Sequence, residues 1–250
     1  VQDFRKALDD PAVDAIVSAT PDHWHALSAV GACQAGKDVY VEKPACHSCW
    51  EGRKMVEAAR KYKRVVQIGT QNRSAPYNMS AKKYIEDGKL GTIHMCRIYN
   101  QKGAWGMTKK GPDGPTPEGL DWDMWNGPAP EHAYNSGMHR TWNHQWRYSG
   151  GDIANDASHQ IDLARWLLGV EHPKTVYSTG GRYATADPAT LVAETPDTQM
   201  ALYDYDGLLV SFELTLYGSY MLKTDPEVRN TDMFPYWFQN STRIEIFGTE

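Results

Sequence analysis

The pattern of apolar and polar positions changes character after Thr70. Before it, short apolar runs alternate with amphipathic stretches. Val13, Ala15, Ile16 and Val17 lie in one run, Val13–Ala19, bounded by Asp10-Pro11 and Pro21. A short apolar run between turn signals is how a strand covered on both faces reads. Thr20-Pro21-Asp22 opens a helix reaching Ala35, with Gly36 as its C-cap. Lys37–Lys43 predicts the next strand and Arg64–Gly69 a third. Between them Glu51–Tyr62 predicts a helix, with Met55, Val56 and Ala59 on one side. Asp3–Leu8 reads as the end of an earlier amphipathic helix. Strand and helix in regular alternation predict βαβ units and a parallel sheet.

Beyond Thr70 the order differs. Tyr77–Asp87 predicts a helix stopped at Gly88, and Thr92–Gln101 a strand. Gly103–Pro130 has little periodicity, and a stretch this long in a compact domain is usually functional or disordered. Its Trp105, Trp122 and Trp125 argue against disorder. Asp152–Leu168 predicts one helix, stopped by Gly169. Thr175–Ser178, Thr198–Tyr205 and Leu208–Tyr217 follow as strands without intervening helices, the last two joined by a hairpin at Asp206-Gly207. The expectation is an α/β chain: residues 1–74 form a parallel doubly wound domain, and residues 75–250 an α+β domain with a mostly antiparallel open sheet. Val1 leads straight into a helix-like run and Arg243–Glu250 ends in a strand-and-turn pattern, so the chain reads as an internal piece of a longer one.

Composition narrows the classes. The 250 residues suffice for one large domain or two smaller ones. A formal net charge of −5 gives no footprint for nucleic acid. No apolar run is long enough to span a bilayer. Four cysteines in a chain of this length do not make a disulfide framework. The reading favours the cytoplasm and leaves export by an upstream signal open.

Two motifs are set aside. Gly31–Lys37 fits the first positions of a phosphate-binding loop, but a helix precedes it, a strand follows, and Asp38 stands where Ser or Thr is needed. Cys46-His47-Ser48-Cys49 has metal or redox spacing, yet a structural zinc needs a second pair, and Cys33 and Cys96 are isolated; no metal is expected. Two stretches carry more weight. Gly36–Pro44 ends a strand on Glu42, Lys43 and Pro44, which places Lys43 at a strand's carboxyl end, where open α/β sheets bind ligands. Gly150–Asp162 places Asn155 and His159 four residues apart, on one face of the predicted helix. Just before it, Trp142, Trp146 and Arg147 suit a polyhydroxylated ligand, stacking on C–H faces and bonding hydroxyls, while core packing accounts for at least half of the nine tryptophans.

Together these stretches resemble the Gfo/Idh/MocA oxidoreductases, NAD(P)-dependent sugar and cyclitol dehydrogenases. The resemblance rests on Ala19-Thr20-Pro21-Asp22 with His25, on Gly36–Pro44, on the strand end at Gly69–Arg73 and on Gly150–His159. It implies a Rossmann domain, here without its glycine-rich loop, followed by an α/β domain whose open sheet builds homo-oligomers. It implies NAD or NADP held by Thr20, Pro21, Asp22, His25, Glu42, Lys43 and Gln71. Substrate would meet Arg73, Trp146, Arg147, Asn155 and His159, with Lys43 and His159 catalytic. Asn155 stands where the family often has aspartate. Asp156 lies about 100° round a helix from it, so the partner of His159 stays open between the two.

The resemblance implies hydride transfer between a sugar or cyclitol hydroxyl and nicotinamide, with His159 taking the proton and Lys43 stabilising the alkoxide. Two other readings are a glycoside-cleaving enzyme using transient oxidation and a non-catalytic sugar-binding relative. Neither a nucleic acid nor a membrane is an expected partner.

Overall fold

The structure, a computed structural model, describes residues 3–103, 111–184, 193–218, 227, 231 and 241–250. These residues divide into two compact units. One takes those within Val1–Gly69, Gly106–Asn155 and Ala189–Thr195; the other takes those within Thr70–Trp105, Asp156–Pro188 and Pro196–Glu250.

The first unit is built on strands β1 (Ala15–Ser18), β2 (Asp38–Glu42) and β3 (Val66–Gly69), parallel and in that order. Helix α1 is Arg5–Asp9, α2 is Asp22–Gln34 and α3 is Cys49–Tyr62. Ala26, Ala29, Ala32 and Cys33 of α2, Val39 and Val41 of β2, and Met55 and Ala58 of α3 form the core. Small residues on the buried side of α2 let it lie close to the sheet. The two buried valines contribute about 1.5–3 kcal/mol each. α3 begins at Cys49, two residues before the apolar spacing predicts. Ser48 accepts from the Glu51 N–H and the Glu51 carboxylate returns the bond to the Ser48 backbone. The Gly31–Lys37 stretch is the end of α2 and the turn into β2. Gly36 has φ +77°, and Lys37 donates to the carbonyls of Asp10 and Val13, each at 2.7 Å.

Residues 111–155 of this unit hold α5 (Trp122–Asn126), α6 (Ser136–Arg140), a 3₁₀ turn (Trp142–His144) and α7 (Asp152–Asn155). Aromatic packing replaces periodicity here. Trp122 stacks on Trp125 with centroids 5.0 Å apart, and His139 and Tyr148 meet Trp125 edge-on. The segment is pinned to α2, where Trp24 donates to the Trp125 carbonyl at 3.1 Å. Gly127 has φ +50°, and a Cβ there would stand 2.1 Å from the Trp24 ring, so the chain lies down on α2 because residue 127 has no side chain. Trp105 lies outside the described residues.

The second unit carries β4 (Met95–Gln101), β5 (Thr175–Gly181), β6 (Thr198–Tyr205), β7 (Leu208–Thr215) and β8 (Thr242–Phe247), in the order β5-β6-β7-β4-β8. β4 and β7 are parallel and the other neighbours antiparallel. Gly207, at φ +78°, makes the predicted hairpin between β6 and β7. The helices are α4 (Pro76–Glu86) and α8 (Ser158–Leu168). One sheet face buries Cys96, Ile98, Ala201, Val210, Phe212 and Leu214, and Ile161, Ala164 and Leu168 of α8 line a cavity with Ile98 and Val210 of this face. The opposite face leaves Tyr177, Met200, Leu202, Leu209 and Phe247 exposed, around a Tyr99 ring set between the Arg97 and Arg243 guanidinium groups.

One expected element is two. The helix predicted over Asp152–Leu168 stops at Asn155 and restarts at Ser158. The Asn155 N–H reaches the Gly151 carbonyl at 2.9 Å, a full helical step, while the His159 N–H takes the Asp156 carbonyl at 3.1 Å, one residue shorter. The ladder therefore restarts at Asp156-Ala157, and the shared helix face inferred for Asn155 and His159 does not follow from their spacing. Among the described residues no helix is long and apolar enough to cross a membrane.

Candidate active site

In the first unit β1 and β2 run parallel, with Ser18 beside Val41, so both carboxyl ends emerge at one edge of the sheet. Thr20 and Pro21 follow β1; Lys43 and Pro44 follow β2. His25, one turn into α2 and 1% exposed, joins the two ends. Its Nδ1 lies 2.6 Å from the Pro44 carbonyl and its Nε2 lies 2.8 Å from the Thr20 carbonyl. Asp22 opens α2 and is as deeply buried. Ser149 Oγ donates to one of its oxygens at 2.6 Å, and Asn155 Nδ2 reaches both at 3.2 and 3.4 Å. Asn155 in turn accepts from Lys43 Nζ, through its backbone carbonyl at 2.9 Å and its Oδ1 at 3.4 Å. Lys43, Asn155 and Asp22 thus form one chain of hydrogen bonds from the end of β2 to the start of α2.

Burial pushes the Asp22 carboxyl above its ordinary range, and the Ser149 bond, His25, Asn155 and Lys43 act against that rise. Next to it, burial pushes His23 down to about 4, and His23 packs among Trp24, Trp125 and Tyr148. Glu42 accepts the Lys43 N–H at 3.2 Å. It pairs in register with Gly69, where a Cβ would lie 2.9 Å from Tyr40 Oη and 3.1 Å from Glu42 Oε2; glycine lets the two strand ends close up. Trp146 is 54% exposed and its N–H donates to Glu194 at 3.0 Å. Arg147, beside it, is half-buried.

In the second unit Asp156 pairs with Lys102 at 2.6 Å. His159 lies in the first turn of α8, half-buried. Arg73 makes a two-pronged bond to Asp162. Gln71 is exposed on the 3₁₀ turn Gln71–Ser74. Cys46 and Cys49 are free thiols, Cys49 the first residue of α3. Among the described residues no group of three or more His, Cys, Asp or Glu could hold a metal ion.

Of the residues predicted from sequence, the first unit therefore brings together Thr20, Asp22, His25, Lys43 and Asn155. Sequence reasoning missed Ser149 and Lys102. Ser149 lies 127 positions from its partner Asp22, and no local spacing announces that contact. Lys102 follows β4, and its pairing with Asp156 is a tertiary event.

Residues 1–70 match the family described as oxidoreductases with an NAD-binding Rossmann fold, and residues 78–180 match that family's C-terminal α/β domain. The chain belongs to the Gfo/Idh/MocA oxidoreductase family. Levoglucosan dehydrogenase of Pseudarthrobacter phenanthrenivorans is 31% identical over 168 residues, 67% of this chain and 36% of that protein. The NAD⁺-dependent scyllo-inositol 2-dehydrogenase of Bacillus subtilis is 26% identical over 171 residues, 68% of this chain and 40% of that protein. A levoglucosan dehydrogenase structure in complex with NADH and levoglucosan superposes with a TM-score of 0.70 at 26% identity, over 100% of this chain and 56% of that one. The chain thus spans about a third to somewhat over half of the relatives it matches.

Proposed function

We propose that the protein is an NAD(P)-dependent dehydrogenase acting on a hydroxyl of a sugar or cyclitol. The observation that carries this reading is Lys43, held at the carboxyl end of a parallel strand by neutral oxygens of Asn155. An ammonium whose charge is not cancelled by direct pairing can stabilise a developing alkoxide. The family membership supports the cofactor, and the names of the relatives support the substrate class. They do not favour the glycoside-cleaving or non-catalytic readings.

The residues present fit a dinucleotide. Polar groups cluster where parallel strands end, and Gly69 keeps side-chain bulk away from Glu42. Thr20, Pro21, Asp22, Glu42, Lys43 and Gln71 would hold it, with NAD the form named for the family. When bound, nicotinamide supplies the hydride acceptor or donor. His159 takes the substrate proton, a role open to a neutral imidazole near pH 7. Arg73, Trp146, Arg147 and Asn155 contact the polyol, and Asp156 serves by holding Lys102. We place the division between the cofactor and substrate domains near Ser74. The exposed apolar residues on the open sheet face, Tyr177, Met200, Leu202, Leu209 and Phe247, suit self-association of the protein.

The test is NADH formation across a panel of anhydrosugars, aldoses and inositols. Turnover with at least one of them is expected, and His159→Asn should lower that rate by ~10²–10⁴-fold. A full panel without NADH or NADPH formation overturns the reading.

A further inference from the structure

The acceptors of Lys43 carry no charge, yet a buried carboxylate stands one amide away. Both Asn155 oxygens take the ammonium, and the nitrogen of the same side-chain amide donates to Asp22. All the bonds reaching Asp22 from Ser149 and Asn155 are donated to it, at both oxygens. Donors at both oxygens suit an ionised carboxylate, which accepts and cannot donate. The orientation of Asn155 follows: Nδ2 toward the anion leaves Oδ1 toward the cation.

We infer that Asp22 is a positioning residue for Lys43, acting as its counter-charge through the Asn155 amide. The rule for a buried charge is that it needs bonds and a nearby opposite charge. Asp22 has two donors, with Lys43 beyond the amide and the His25 ring, which faces the Thr20 and Pro44 carbonyls, close by. A direct Asp–Lys contact would satisfy both charges and cancel them. Inserting an amide keeps the ammonium oriented and leaves its charge available at the sheet edge. Chains of hydrogen bonds through a polarisable amide reinforce one another in a buried setting. The inference gives α2 a second task besides packing: its first residue sets the direction in which the lysine at the end of β2 points.

This rests on the dehydrogenase reading for its catalytic meaning, so the experiment has a readout that does not need turnover. Acetylation of Lys43 by an N-hydroxysuccinimide ester is followed by mass spectrometry in the protein without ligands, with the other lysines as internal references. Asp22→Asn frees the Asn155 amide to turn, and Lys43 should label severalfold faster. In Asp22→Asn combined with Asn155→Asp the carboxylate is moved next to Lys43, and labelling should return to within twofold of the unaltered protein. Turnover should not return with it, because a direct Asp–Lys contact cancels the charge that the amide leaves available. Where Asp22→Asn does not fold, Asn155→Leu cuts the link while leaving Asp22 in place, and should raise Lys43 labelling alike. Unchanged labelling in a folded Asp22→Asn or Asn155→Leu protein overturns the inference, as does a double variant that labels as fast as Asp22→Asn. Labelling that follows the expected pattern without any NADH formation counts against the dehydrogenase reading instead.

Discussion

Asn155 and Asp156 are neighbours in the chain, and each meets a lysine, but in opposite manners. Asn155 offers Lys43 two neutral oxygens and passes the contact on to a buried carboxylate. Asp156 binds Lys102 directly, at 2.6 Å, with the two side chains 31% and 21% exposed. The second arrangement neutralises itself and contributes to holding the second unit together. The first holds a cation in place without cancelling it, which is what a site that must meet developing negative charge requires. Two lysines of the same chemistry are thus given different work by one residue of difference in what they touch.

If that contrast is right, removing the two lysines should have different consequences. Lys43→Met should slow turnover by ~10²-fold or more, roughly 3 kcal/mol at the transition state. A Lys43→Met protein with full turnover breaks the comparison. A second contrast, one of sign, separates Asp22 from His23. Burial holds His23 neutral with its pKa at about 4 in the fold, below the ordinary value of about 6.5. The unfolded chain therefore binds the extra proton first as pH falls. Stability is complete above pH 6.5 and declines as pH drops through the window down to about 4, by roughly 3 kcal/mol. Denaturant titrations at several pH values should show that slope, and His23→Gln should flatten it. Asp22 has the opposite sign: its pKa is raised, so its contribution is full below the ordinary carboxylate range and declines as pH rises.

Smaller effects sharpen the other half. Lys102→Met should cost about 1 kcal/mol of stability, the scale of a partly exposed ion pair, with turnover kept within a few-fold. A large rate loss at unchanged stability would show that Lys102 serves the chemistry. The smallest effect is expected for Arg73→Lys. It trades a two-pronged bond to Asp162 for a single one on an arginine 42% exposed, worth about 0.5 kcal/mol in urea denaturation.

Much of this arrangement was legible in the chain. The apolar runs around Ile16, Val41 and Ile68 gave the parallel strands, Gly36 marked the end of α2, and Gly207 marked the hairpin between β6 and β7. Lys43 was found because Pro44 stops a strand directly after it. The break at Asp156-Ala157 was not legible, because neither residue is a helix breaker and the interruption is made by which carbonyl each N–H selects. Core packing was expected for at least half of the tryptophans, and Trp122 and Trp125 are packed on other rings. The clip made by His25 was invisible for a similar reason: spacing shows a histidine on α2, but not that two carbonyls converge on it.

The chain enters each unit more than once, and this sets a timetable. During synthesis the strand bearing Val39 and Val41 is available early, with α2 and α3 to cover it. The residues that fix Asp22 are not, since Ser149 and Asn155 follow it by 127 and 133 positions. At ribosomal speeds of 5–20 residues per second that interval is roughly 6–27 s. For that time the nascent protein holds a carboxylate at the head of α2 without the donors that later enclose it. Wet at first, this group is dehydrated only when its late partners arrive, so this edge of the sheet sets well after the strands that carry it.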